Sequence, residues 1–99
     1  MTKKIIIIGS GFSSISAATY LADSGYDVTI LEKNSSFGGR ARNFKAKGFT
    51  FDMGPSWYWM PDVFEKYFND FGRSVSDYYT LKKLDPAYRV YFGKNDFIE

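Results

Sequence analysis

Gly9 and Gly11, separated by Ser10, and an acid twenty-three positions after Gly9, Glu32, are the residues whose types and spacing could hold a ligand. Glycines at a bend let backbone N–H groups come close to a phosphate with no Cβ between them. A helix that opens at such a bend adds unpaired N–H donors and the positive end of its macrodipole. A carboxylate one strand further on can accept the hydroxyl hydrogens of an adenosine ribose, and it repels a 2′-phosphate. The chemistry implied is pyrophosphate at the turn and ribose at the acid, without NADP at this turn. Gly-x-Gly alone would be an ordinary strand–helix turn. The acid at this spacing turns it into a dinucleotide signature.

The elements that must position these residues are legible nearby. Residues 4–8 end in four isoleucines with no polar alternation, which predicts a parallel strand buried on both faces. Ile15, Ala18, Leu21 and Ala22 recur at helical spacing, so a helix is expected from about Phe12 to Ser24. The small residues Ala17, Ala18 and Ala22 let it lie close on the sheet, and Gly25 stops it. Ser14 stands where a third glycine is usual, so the helix should shift slightly outward and the site should persist. Ser10, Ser13 and Ser14 are expected to cap the helix. Val28–Glu32 is the second strand. The predicted class is therefore α/β, with a Rossmann-like βαβ unit in which Gly9, Gly11, Phe12, Ser13 and Ser14 face the pyrophosphate.

Further along, Asn34, Ser35, Ser36 and a glycine pair predict a loop over residues 33–39. A hairpin follows across Gly48, with Phe49 and Phe51 on one face, and a turn at residues 53–56. Val63, Phe64, Tyr67, Phe68 and Phe71 mark an amphipathic helix that begins at Pro61 and stops at Gly72. Residues 73–84 carry no clear pattern. The tail from Tyr88 reads as a hairpin whose second strand is cut short, which points to a piece of something longer.

The chain has 99 residues, 44% hydrophobic and 20% aromatic, with a net charge of +2. That excludes disorder and offers no basic tract for nucleic acid. Without cysteine or histidine there is no disulfide, thiolate nucleophile, iron–sulfur ligation or imidazole acid–base chemistry, and no metal site is expected. The apolar run of four after Lys3 and Lys4 is too short for a signal peptide, whose apolar core is ~7–15 residues long. No run reaches the ~20 residues of a membrane span. The expected location is the cytoplasm, with a peripheral membrane contact as the alternative.

Gly38-Gly39-Arg40 separates FAD from NAD. Paired glycines allow backbone to run flush along an extended ligand, and Arg40 carries a fixed positive charge toward it. The string Glu32-Lys33-Asn34-Ser35-Ser36-Phe37-Gly38-Gly39-Arg40, following Gly9-Ser10-Gly11, resembles the opening signature of the flavin-dependent amine oxidase and carotenoid desaturase superfamily. Phe49-Thr50-Phe51-Asp52-Met53-Gly54-Pro55-Ser56-Trp57 and Leu84–Phe92 resemble the phytoene desaturase branch. The resemblance spans nearly the whole chain, and retinol saturases, carotenoid isomerases and, more distantly, amine oxidases share parts of it.

The resemblance implies FAD as cofactor and hydride transfer from a phytoene-like polyene to the flavin. It places Gly9, Gly11 and Ser14 at the pyrophosphate, Glu32 at the ribose, and Gly38, Gly39 and Arg40 along the cofactor. Gly54 and Pro55, with Asp52, would lie near the flavin, although Asp52 reads equally well as a turn former. Lys33 is counted with the site, on its solvent side. No catalytic acid or base can be named. Residues 1–56 would belong to the FAD-binding domain and 57–99 to the start of an aromatic-rich substrate region. Arg42 and Lys45 read as surface charges. Alone, the chain is expected to be inactive and prone to self-association, a nucleotide-binding piece at most.

Overall fold

The computed structural model describes residues 1–99. The glycine turn is built by two parallel strands, β1 (Lys4–Ile8) and β2 (Asp27–Leu31), joined by the helix α1 (Phe12–Asp23). Their register runs from Lys4 opposite Asp27 to Ile8 opposite Leu31, so both strands end level. Gly9 and Glu32 therefore leave the sheet side by side. The Gly9 N–H closes this edge by donating to the Leu31 carbonyl at 2.7 Å.

Both helices end by the same device. Beyond α1, Gly25 takes φ +91°, its N–H donates to the Ala22 carbonyl, and the Tyr26 N–H donates to Leu21. Beyond α2 (Pro61–Asp70), Gly72 takes φ +69°, with its N–H on Asn69 and that of Arg73 on Phe68. These are paired C-terminal bonds that satisfy the last carbonyls, and they need a residue tolerant of positive φ. The helix ends predicted at both glycines thus have a common cause.

The middle of the chain makes a hairpin of β3 (Asn43–Ala46) and β4 (Phe49–Asp52), with Ala46 opposite Phe49. Lys47 and Gly48 form its two-residue loop with φ +49° and +82°, the twist that matches paired strands. The first strand starts at Asn43, later than expected, because Gly39–Ala41 is taken up by a single 3-10 turn. Phe44 stacks on Phe51 at 5.1 Å across the hairpin, with Phe49 6.4 Å from Phe51. A third pair, β5 (Val90–Gly93) and β6 (Asp96–Ile98), forms the tail hairpin, bulged between Tyr91 and Gly93. In the unpatterned stretch, Val75–Asp77 makes a 3-10 turn whose entry is closed by Ser74: its N–H donates to Asp77 and its hydroxyl to Glu65.

α2 lies along α1 through aromatic side chains. Phe12 meets Phe64 edge-on at 5.8 Å, and Tyr20 meets Tyr67 and Phe71 at 6.0 and 4.9 Å. The Thr19 and Tyr67 hydroxyls share a hydrogen bond of 2.6 Å, and the Tyr20 hydroxyl donates to Asp70. The hydrogen bond to the Asp70 carboxylate pushes the Tyr20 phenol above its ordinary pKa. Each such aromatic pair adds about 0.5–1.5 kcal/mol beyond its area, so this seam holds α2 against the βαβ unit.

The expectation that β1 is buried on both faces is corrected. Ile6 and Ile8 are 65% and 86% exposed, because β1 pairs with one strand only and α1 covers one face. Only Ser10, Val75 and Ala18 are buried in the entire chain. The radius of gyration, 18.3 Å, far exceeds the ~13 Å of a compact domain of this length. No helix is long and apolar enough to cross a membrane.

An expected consequence is association. The exposed isoleucines of β1, together with Trp57, Trp59 and Met60, present apolar surface that water disfavours. Sedimentation velocity should show species growing with concentration, and a hydrophobic dye should brighten. A monodisperse monomer that leaves the dye dark would contradict this.

Candidate dinucleotide-binding site

At the end of β1 the chain turns through Gly9 (φ +95°) and reaches the N-cap of α1 at Gly11, which is extended. The first amide bonded inside the helix is that of Ile15, which donates to the Gly11 carbonyl at 3.0 Å. The N–H groups of Phe12, Ser13 and Ser14 find no acceptor in the chain, as the geometry of a helix start requires. No atom lies within 4 Å of where a Cβ on Gly9 or Gly11 would stand, outside their immediate chain neighbours. Three free donors thus point from an uncrowded turn, at the positive end of a helix.

The serines do not cap this helix, contrary to expectation: α1 has no side-chain cap. Ser10 faces the other way, toward Glu32. Its backbone N–H donates to Glu32 Oε2 at 3.0 Å and its hydroxyl to the same oxygen at 2.5 Å. The Asn34 N–H donates to Oε1 at 3.0 Å. The Ser10 hydroxyl and the Asn34 N–H, the two largest causes, hold the Glu32 carboxyl down from its ordinary 4.5 to about 2. The acid is therefore ionised and aimed at the glycine turn.

Gly38-Gly39-Arg40 closes over the turn from outside. The Gly38 N–H donates to the Ser10 carbonyl at 2.9 Å, and a Cβ on Gly39 would stand 3.0 Å from the Gly11 Cα. Both glycines have positive φ, +111° and +62°. Gly39 is needed for backbone to pack on backbone, and Gly38 for its positive φ. Arg42, expected to be a surface charge, braces this loop: its Nε donates to the Gly39 carbonyl at 2.9 Å. A Cβ on Gly54 would stand 3.0 Å from the Arg40 carbonyl, which brings the 53–56 turn onto the same loop.

These segments bound a cleft of about 770 Å³. It is lined by Gly11, Phe12 and Ser13 from the start of α1, by Gly38, Gly39 and Arg40 from the loop, and by Pro55, Trp57, Tyr58, Trp59 and Met60. Arg40 makes no ion pair in the chain, so its charge is available to an anion in the cleft. Of the sequence-predicted residues, Glu32 lies behind the turn through Ser10, Ser14 is in the first turn of α1, and Lys33 is exposed away from the cleft lining. The residues that sequence reasoning missed are Ser10 and Arg42. The level ends of β1 and β2 were a signal for Ser10, since they bring position 10 next to position 32.

This arrangement matches a known one. The sequence profile of the NAD(P)-binding Rossmann-like domain fits residues 7–72. The chain belongs to that family. As a Rossmann-like chain it is 54% identical over 95 residues to the carotenoid 3,4-desaturase of Haloarcula japonica, covering 96% of this chain and 19% of that protein. It is 45% identical, with the same coverage, to a 4,4'-diapophytoene desaturase (4,4'-diaponeurosporene-forming) of Staphylococcus aureus strain MRSA252. The Rossmann-like chain thus spans about a fifth of the length of the curated relatives it matches. Those relatives are carotenoid desaturases, which are oxidoreductases.

Proposed function

We propose that these 99 residues are the adenosine- and pyrophosphate-holding part of an FAD-dependent desaturase acting on a carotenoid precursor. The observation that carries the reading is 54% identity to a carotenoid 3,4-desaturase across 96% of the chain. The site supports it chemically. The free N–H groups of Phe12, Ser13 and Ser14 suit the pyrophosphate, the uncrowded Gly9 and Gly11 let it approach, and ionised Glu32 suits a ribose. Gly39, Arg40 and Pro55 line the same cleft, whose volume of about 770 Å³ suits a ligand larger than adenosine.

Bound FAD supplies the acceptor for the hydride that leaves a C–C bond beside a polyene. The chain's own part is to bind, to orient and to keep the cleft dry. Trp57 stacks on Trp59 at 6.0 Å and on Tyr88 at 5.5 Å, an apolar wall suited to a long hydrophobic substrate. Residues 57–99 begin the substrate region in this reading, and the exposed aromatics suit a peripheral contact with the membrane where such lipids dissolve.

A chimera tests this. The matched segment of the Haloarcula japonica enzyme is exchanged for this chain, and the product is purified. Yellow protein that desaturates its carotenoid is expected. A folded protein without flavin would overturn the cofactor, and a flavoprotein without desaturation would overturn the activity.

A further inference from the structure

Trp57, Tyr58 and Trp59 are consecutive, yet their rings go to different partners. Tyr58 packs on Phe64 at 4.6 Å, and its hydroxyl shares a hydrogen bond of 2.6 Å with that of Tyr79. Trp57 meets Trp59 at 6.0 Å and Tyr88 at 5.5 Å instead, with ring planes only 23° and 20° apart. Both tryptophans line the cleft, and Tyr88 does not. The three rings form a short column that starts outside the cleft and ends in it at Trp59. That end ring has one stacked neighbour and is 66% exposed.

The column is ordered before any ligand arrives. Tyr58 ties the segment to α2, and Met60 enters that helix at φ +54°, a conformation a methionine keeps only where its surroundings impose it. A flat ring that lands on Trp59 therefore meets a surface that need not be ordered first. We infer that Trp59 is the stacking site for the isoalloxazine ring of the flavin. The inference rests on the proposed adenosine site and deepens it by assigning the other end of the ligand. Glu32 stands outside the cleft lining and Trp59 within it, so a dinucleotide with its adenosine at the acid brings its far ring to the indole. Near-parallel rings at these spacings attract beyond their area, and a fourth ring continues the same column. A ring stacked on one face keeps the other for the hydrogen donor, which leaves the wall beyond Trp59 to the hydrocarbon.

Calorimetry on the chain with FAD and with ADP, which is FAD without its riboflavin part, tests the assignment. Wild type should bind FAD roughly tenfold to a hundredfold more tightly than ADP, the gain from one ring stacked on an aromatic side chain. Trp59→Leu should bring FAD down to the affinity of ADP and leave ADP unchanged. Trp59→Phe, with a smaller ring, should fall between, and it carries the comparison if the Leu variant unfolds by circular dichroism. An FAD affinity untouched by Trp59→Leu would overturn the inference. So would an equal loss for both nucleotides, the mark of a merely structural role or of adenine on the indole. A wild type that binds neither nucleotide would overturn the adenosine site and the inference together, whereas ADP bound with no gain for FAD would overturn the inference alone. The chimeric desaturase gives a second readout, because an indole in ring contact quenches flavin emission. Its bound flavin should brighten in Trp59→Leu, and unchanged emission would overturn the stacking.

Discussion

Alanine in place of Gly39 should lower dinucleotide affinity about a hundredfold, a large loss for a single methyl group. Two costs add. At φ +62° an L side chain is strained by about 1–2 kcal/mol. Its Cβ would also stand 3.0 Å from the Gly11 Cα, and that neighbour is backbone that cannot swing aside. Separating the two strands of backbone costs a further ~1–3 kcal/mol, by analogy with overpacked cores. The displaced residue is Gly11, the N-cap from which the free donors project, so the loss falls on binding as well as folding. Gly48→Ala is the control: it has a comparable φ of +82° but nothing within 4 Å. Flavin content of the two variants in the chimeric desaturase measures the difference. Equal flavin in both would mean that the loop does not shape the cleft.

Glu32→Gln should weaken ADP about tenfold or more, because a neutral amide loses the charge-assisted bond and presents an N–H₂ group where an acceptor is required. It should also change the acid limb of stability. Folded Glu32 titrates near 2 and the unfolded chain near 4.5, so the unfolded state takes up the proton first. The contribution of Glu32 is therefore present above about pH 4.5 and is lost as the pH falls toward 2. The Gln variant lacks this slope between those values. Denaturant midpoints across that range read the slope directly, and parallel curves for the two proteins would contradict the bonding seen at Glu32.

What could be read before any coordinates were known was local. Four isoleucines running into Gly9, helical spacing from Ile15 to Ala22, and strand residues ending at Glu32 define β1, α1 and β2, because each depends on neighbours a few residues away. The glycine stops at 25 and 72 and the Lys47–Gly48 hairpin are local for the same reason: they follow from which residues tolerate positive φ. The spacing from Gly9 to Glu32 is also sequence information, since it measures one helix and one strand.

Tertiary structure alone decided which way the side chains of the turn face. Ser10 looked like a helix cap, but it binds an acid twenty-two residues away, because the parallel register ends both strands at one level. Gly39 lines the cleft and also packs its backbone against Gly11, a contact that its place in the sequence does not announce. Arg42 looked like a solvated charge and instead props the loop between them. Burial was the least legible property of all. An isoleucine strand is apolar by composition, but whether it is covered depends on what lies against it, and that is a matter of distant contacts that no local pattern encodes.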